Sequence, residues 1–237
     1  MKICTNCGNP IAEKYCPNCG QSAQIKRIDG HYIIHEIEHV LHLEKGILFT
    51  FRELMIRPGK NVREFISGSR SRLVKPIIFI IVTSLLYSLA NHFFHVEDGY
   101  MNIGEDKRGT TTAIFEWIQK HYGYGNIMMG VFIALWLKFF FKKYDYNFFE
   151  ILILLCFVMG MGMLVLALFA TIEGVTKLPV MQIASVIIMF YVPWAIGQFF
   201  DKSKAASYFK AFAAYVLGML SFAGLIILTG TLIDKVI

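Results

Sequence analysis

Charged residues are scarce in this chain: Asp, Glu, Lys and Arg make up 17% of its 237 residues, against 56% hydrophobic ones. That balance falls outside the range of a soluble domain of this length, and it excludes a disordered chain, which needs the opposite composition. No acid lies deep inside any long apolar block, which argues against a proton-coupled pump built on a buried carboxylate relay. A G-x-x-x-x-G-K nucleotide loop, a serine elbow and paired carboxylates are likewise missing, so the usual hydrolytic and phosphoryl-transfer chemistries have no anchor. The opening stretch, MKICTNCGNP, lacks the basic patch and apolar run of a cleavable signal peptide. Insertion is therefore expected to be directed by the first crossing helix.

What the chain has instead is long apolar runs. Five blocks, at residues 76–96, 126–141, 148–170, 178–200 and 208–233, approach the roughly 20 residues needed to cross a bilayer core of about 30 Å. The second is short before its first lysine, so either Lys138 snorkels or the aromatic run at 139–141 lies at the interface. The polar connections alternate in charge. The stretch up to residue 75 carries 12 Lys and Arg against 7 acids, the 97–125 connection carries 3 against 5, and the turns KKYDYN and DKSKAASYFK are basic. This pattern predicts five spans with a cytoplasmic N-terminus and an outside C-terminus, and it makes the net charge of +6 mainly a topology signal. In the later blocks, Gly160, Gly162, Gly218, Gly224 and Gly230 are expected to permit close helix contact, and Pro193 to kink its helix.

Four of the five cysteines fall in CTNCGNPIAEKYCPNCGQ, as Cys4, Cys7, Cys16 and Cys19. Each CxxCG knuckle sets two thiolates about one tight turn apart, and Gly8 and Gly20 let the backbone fold back toward an ion. Two knuckles make a tetrahedral sulfur site suited to structural Zn2+, one per chain. A cytoplasmic N-terminus strengthens that choice, because disulfides are rare in a reducing compartment. A closed four-thiolate site leaves no open coordination position, which points to protein docking or oligomerisation and away from catalysis. Lys2, Lys14, Tyr15, Lys26 and Arg27 are too few to make a nucleic-acid surface. Cys156, within ILILLCFVMG, reads as a small packing residue.

Between ribbon and first span the chain reads GHYIIHEIEHVLHLEKGILFTFRELMIRPGKNVREFISGSRSRLVKP. On a helix, His35, Glu38, His39 and His42 share one face with His31, while Ile34, Ile37, Leu41 and Leu48 occupy the opposite side. After Gly46 the pattern suits a helix at the bilayer surface or beneath the bundle. Pro58 and Gly59 break it, and Asn61 with Glu64 is expected to form a capping box for a second short helix. These residues resemble a bacterial family catalogued as a domain of unknown function (domain of unknown function 3667). Its members share an N-terminal CxxCG and CPxCGQ ribbon, a histidine-bearing amphipathic segment, a REL, RPG, REFI and KP pattern, and several membrane spans. The matching positions are Arg52, Glu53, Leu54, Arg57, Pro58, Gly59, Arg63, Glu64, Phe65, Gly68, Arg70 and Pro76. NFFEILILL departs from the pattern, lacking the histidine that members often place after the acid. The resemblance implies a zinc-ribbon-bearing multi-pass protein of the bacterial cytoplasmic (inner) membrane, and it brings no activity with it.

Two further groups of polar residues stand out. His35 and His39 have the i, i+4 spacing that lets two imidazoles meet one ion, His42 extends the face, and Glu38 could ligate or accept from an imidazole nitrogen. The alternatives are a pH-sensitive polar face or a subunit contact. A di-iron oxygenase would need more histidine boxes than His92, His95 and His121 supply, and topology puts those at the opposite membrane face. In the first span, Ser84, Tyr87, Ser88, Asn91 and His95 form one stripe. Lipid would penalise it, so it is expected to bond to other helices or to line a conduit or a lipid-headgroup pocket. In the 97–125 connection, TTAIFEWIQKHYGYG reads as an interfacial helix.

The expected fold is an all-α integral membrane protein: a zinc ribbon at 1–25, amphipathic membrane-surface helices at 26–75 and five transmembrane helices at 76–237. The expected role is a transport, channel or scaffold component whose ribbon docks a partner or a neighbouring copy. A metal-dependent enzyme acting on lipid at the cytoplasmic face, through a second ion at the histidine stripe, and a membrane-anchored regulatory or sensor protein are the alternatives. Membrane lipid is a partner in each case.

Overall fold

A computed structural model describes residues 2–4, 7–11, 14–19, 47–70, 72–96 and 109–236. The chain divides into two compact units, Met1–Glu44 and Lys45–Ile237. In the first, β1 (Lys2–Ile3) and β2 (Pro10–Ile11) pair antiparallel, with Lys2 opposite Ile11 and Ile3 opposite Pro10. The histidine stripe lies outside the described residues.

The second unit is helical: α1 (Ile47–Ile56), α2 (Pro58–Ser67), α3 (Pro76–Phe94), α4 (Thr110–Lys120), α5 (Tyr122–Phe140), α6 (Phe148–Thr176), α7 (Met181–Asp201) and α8 (Ala205–Val236). Of these, α3, α5, α6, α7 and α8 are long and apolar enough to cross a membrane. They alternate in direction. Phe79 of α3 packs on Phe157 of α6, and Phe94 sits where a Cβ on Gly174 would fall, so α3 and α6 run together. Phe141, just past α5, stacks on Phe200 of α7 at 3.9 Å, so α5 and α7 run the other way. Hence α3 begins and α8 ends at opposite ends of the bundle.

The central helix is α6, 56% of whose apolar stretch is buried against 28–44% for the other four spans. Its 29 residues start on a capping box: the Asn147 side chain accepts from the Glu150 N–H at 2.9 Å, and Glu150 accepts from the Asn147 N–H at 2.7 Å. Both orphan donors are thereby satisfied where the chain enters the apolar region. Phe79, Phe157, Leu154, Ile133 and Phe199 are fully enclosed at the centre.

The segment before the first span packs against this bundle. α2 starts at Pro58, because Pro is preorganised for the first helical position. Asn61 therefore falls inside the helix, and the expected capping box does not form. Instead its side-chain amide donates to the Glu53 and Arg57 carbonyls, both at 2.9 Å, stitching the end of α1 to α2. Leu54 and Val62 are fully buried, and Tyr191 of α7 donates to the Leu54 carbonyl at 3.1 Å. Gly59 lies against the backbone of Gln198 and Phe199 so closely that a Cβ would collide with both. Arg63 donates from one Nη1 to the Gln198 and Phe199 carbonyls, at 2.6 Å each. On the exposed side, Arg72 bridges Glu64 at 2.8 Å and Glu53 at 3.0 Å.

The short second block has a structural explanation. Thr110–Lys120 and Tyr122–Phe140 are two pieces of one broken rod that runs along α8. The Thr110 N–H and hydroxyl both donate to Asp234 near one end. Toward the other, Trp136 donates to Ser221 at 3.0 Å and Gly218 packs on Ile133. At about 1.5 Å per residue, the rod matches the 32 residues of α8. Its break falls at His121, whose backbone (φ −129°, ψ 52°) is not helical.

Gly59→Val and Arg63→Leu are expected to lower the melting temperature of the purified protein. The first overpacks a backbone contact, at about 1–3 kcal/mol, and the second strips the closing carbonyls of α7 of a donor, at about 1–3 kcal/mol. Arg63→Lys, which keeps a cation there, should fall between wild type and Leu in the same thermal-shift series.

Candidate metal centre and a pocket at a helix break

The four N-terminal cysteines converge. Cys4 follows β1 directly, and two backbone bonds shape its knuckle: Cys4 N–H to the Asn9 carbonyl and Gly8 N–H to the Cys4 carbonyl, both 2.9 Å. Gly8 makes the return with φ +75°, a conformation that costs other residues more. The second knuckle brings Cys16 and Cys19 onto the same point. All four Sγ atoms lie within 4.8 Å of one another, with Cys4 to Cys19 and Cys7 to Cys16 at 3.5 Å. All four are free thiols. A tetrahedral ion with sulfur at about 2.3 Å needs sulfurs about 3.8 Å apart, which this cluster satisfies, and an all-sulfur donor set suits zinc. Cys4 and Cys16 are buried while Cys7 and Cys19 are exposed.

The backbone N–H groups of Cys19 and Asn18 favour a Cys16 thiolate, but desolvation and the thiols of Cys7 and Cys19 prevail and push it up to about 11. Without a cation Cys16 therefore holds its proton at neutral pH, and a metal must displace it. Zinc affinity is expected to fall with pH, by about tenfold per pH unit for each proton released on binding. A chelator-competition titration between pH 8 and pH 5.5 would check this, and Cys16→Ser should lose the ion throughout.

Within the helical unit, two cavities flank the first turns of α5. One, of about 250 Å³, is lined by Ser84, Ser88, Ile81 and Leu85 of α3, by Lys120 and His121 at the break, and by Tyr122, Gly123, Tyr124 and Ile127 of α5. Here the interruption of the rod exposes the start of a 19-residue helix. The His121 carbonyl accepts from the N–H groups of Tyr124 and Gly125 at 3.0 Å, while its Nδ1 donates to the Trp117 carbonyl at 2.8 Å and its ring stacks on the Trp117 indole at 4.5 Å. Trp117, Tyr122 and Tyr124 gather around the break as an aromatic collar. Ser84 is 2% exposed and its hydroxyl has no hydrogen-bond partner.

The second cavity, of about 330 Å³, lies among α5, α6, α7 and α8 and is walled by Met129, Met159, Met163, Met189 and Met219 with Asn126, Ser185 and Tyr215. The Asn126 amide nitrogen is buried and likewise unpartnered. An unpaired amide in an apolar wall is costly, so Asn126→Leu is expected to stabilise the bundle by about 1–3 kcal/mol, read as a rise in thermal unfolding temperature.

The first-span stripe is divided by these contacts. Ser84 and Ser88 line the smaller cavity, with the Ser88 hydroxyl donating to the Ser84 carbonyl at 3.0 Å. Tyr87 turns into the packing and meets Tyr122 edge-on at 4.9 Å. The Asn91 carbonyl accepts from the His95 N–H at 2.7 Å, and His95 ends α3 in a left-handed conformation, exposed. Lys120, His121 and Asn126 carry no motif, and their one legible trace is HYGYGN, where two glycines follow an amphipathic run.

Residues 44–88 match the family model described as Protein of unknown function (DUF3667). That stretch runs from before α1 to Ser88, so it contains Gly59, Asn61 and Arg63 and ends at the cavity wall. No curated protein and no solved structure matches the chain.

Proposed function

We propose that this polytopic membrane protein is a component of transport or scaffold type whose zinc ribbon docks a partner protein or a neighbouring copy on the cytoplasmic side. The observation that carries the reading is the closed sulfur cluster: four thiols within 4.8 Å fill the coordination sphere of one ion and leave no position for substrate or water. Such an ion holds a shape and presents a surface. The side assignment is supported by the distribution of cations. Lys75, Lys142, Lys143 and Lys202 are all exposed at the end of the bundle where α3 and α8 begin and α5 and α7 end.

The test uses full-length protein in nanodiscs, wild type against a Cys4→Ser, Cys16→Ser double variant. One zinc per chain is expected by elemental analysis in the wild type and none in the variant. The variant's helical unit should melt as before, while its self-association or complex with a co-purifying subunit, weighed by native mass spectrometry, is lost. An unchanged assembly in the zinc-free variant would overturn the docking role. Two ions per chain, one of them removed by changing His35, His39 and His42 to Ala, would favour the metal-dependent enzyme instead.

A further inference from the structure

We propose that the cavity at the His121 break binds the phosphate headgroup of an anionic phospholipid, with an acyl chain laid against α3 and α5. The inference stands apart from the ribbon and rests on four properties of the cavity.

First, its polar part is suited to a phosphate. Lys120 supplies a cation at the rim, and neither Asp nor Glu is among the lining residues. The start of α5 lines the same space, its Tyr124 and Gly125 N–H groups already given to the His121 carbonyl, so the cation and the Ser84 hydroxyl carry the recognition. Second, a hydrogen-bond donor is already held in place: the Ser84 hydroxyl, 2% exposed, lines the cavity and has no partner. Burying a hydroxyl without a partner is unfavourable, and a phosphate oxygen would accept from it.

Third, the break lies within the height of the bundle. Tyr122 meets Tyr87, well short of the far end of α3 at Phe94. Interrupted helices at such depth expose backbone groups where they line a cavity, and there they hold charged parts of ligands. Fourth, the remaining wall is apolar and open to the bilayer. Ile81, Leu85 and Ile127 are 49%, 57% and 37% exposed, and Ile81 and Ile127 lie beyond the polar cluster along two antiparallel helices. A free phosphate would leave this wall unused, whereas an amphiphile covers it, so a lipid is the occupant that satisfies both halves of the cavity.

Full-length protein in detergent would be loaded with phosphatidylglycerol or phosphatidylcholine, and retained lipid counted by native mass spectrometry. A phosphatidylglycerol carrying a diazirine in its acyl chain would map the site. One tightly held phosphatidylglycerol per chain is expected, with crosslinks on peptides carrying Ile81, Leu85 or Ile127. Lys120→Gln and Ser84→Ala should each lower its retention about tenfold, the scale of one charge-assisted hydrogen bond, while Lys202→Gln at the other end of the bundle should not. Equal retention of phosphatidylcholine, or no loss in either variant, would overturn the proposal. A loss with Lys120→Gln alone would also overturn it, since attraction to surface charge then suffices. Displacement of the lipid by millimolar inorganic phosphate, without crosslinks on the apolar wall, would assign the site to a free anion and equally defeat the lipid reading.

Discussion

Arg63 donates to the carbonyls of Gln198 and Phe199 at the closing turn of α7, and much of the helical unit depends on that join. The last carbonyls of a helix have no partner within it, and near a membrane surface water alone satisfies them poorly. A guanidinium there both pairs them and complements the negative end of the helix dipole. It can reach them because Gly59, one turn earlier, carries no side chain to hold α2 away. Once α2 is seated, Phe65 meets Phe157 edge-on at 5.3 Å, Leu54 closes over the core and Tyr191 can bond to the Leu54 carbonyl. Of the two positions its pattern allows, at the bilayer surface or beneath the bundle, the segment packs against the bundle.

The same bundle accommodates a defect within its height, on the side away from that join. α4 and α5 follow α8 as one rod, yet the rod is interrupted at His121. The interruption is stabilised locally, by the His121 carbonyl serving two donors and its ring lying on Trp117. The polar groups gathered there, Ser84 and Ser88 from α3 and Lys120 from α4, come from separate elements. Only the packing of α3 beside α5 makes them neighbours, with Gly123 against the Ser84 side chain.

The two units also differ in what holds them together. The helical unit is built on apolar packing around α6, to which the Arg63 join adds the seating of α2. The ribbon's described residues offer little beyond Cys4 and Cys16 as a buried centre. What distinguishes it is the convergence of its four thiols, within 4.8 Å of one another, a donor set of the kind that orders small sulfur-ligated modules when a metal binds.

Periodicity and composition alone determined the membrane class, the five long apolar segments and the four cysteines that converge. Each of those depends on local runs: about 20 apolar residues make a span whatever they pack against, and two CxxCG knuckles bring their own sulfurs together. The role of Asn61 was misread from the same kind of local rule, because Pro58 starts the helix three residues earlier. Tertiary structure alone decided that Arg63 caps a helix 135 residues away, that the short second span is half of a broken rod, and that Ser84 faces Lys120 across a cavity. Those facts rest on pairs of residues from different helices, and a linear pattern carries no record of which faces of two helices will meet.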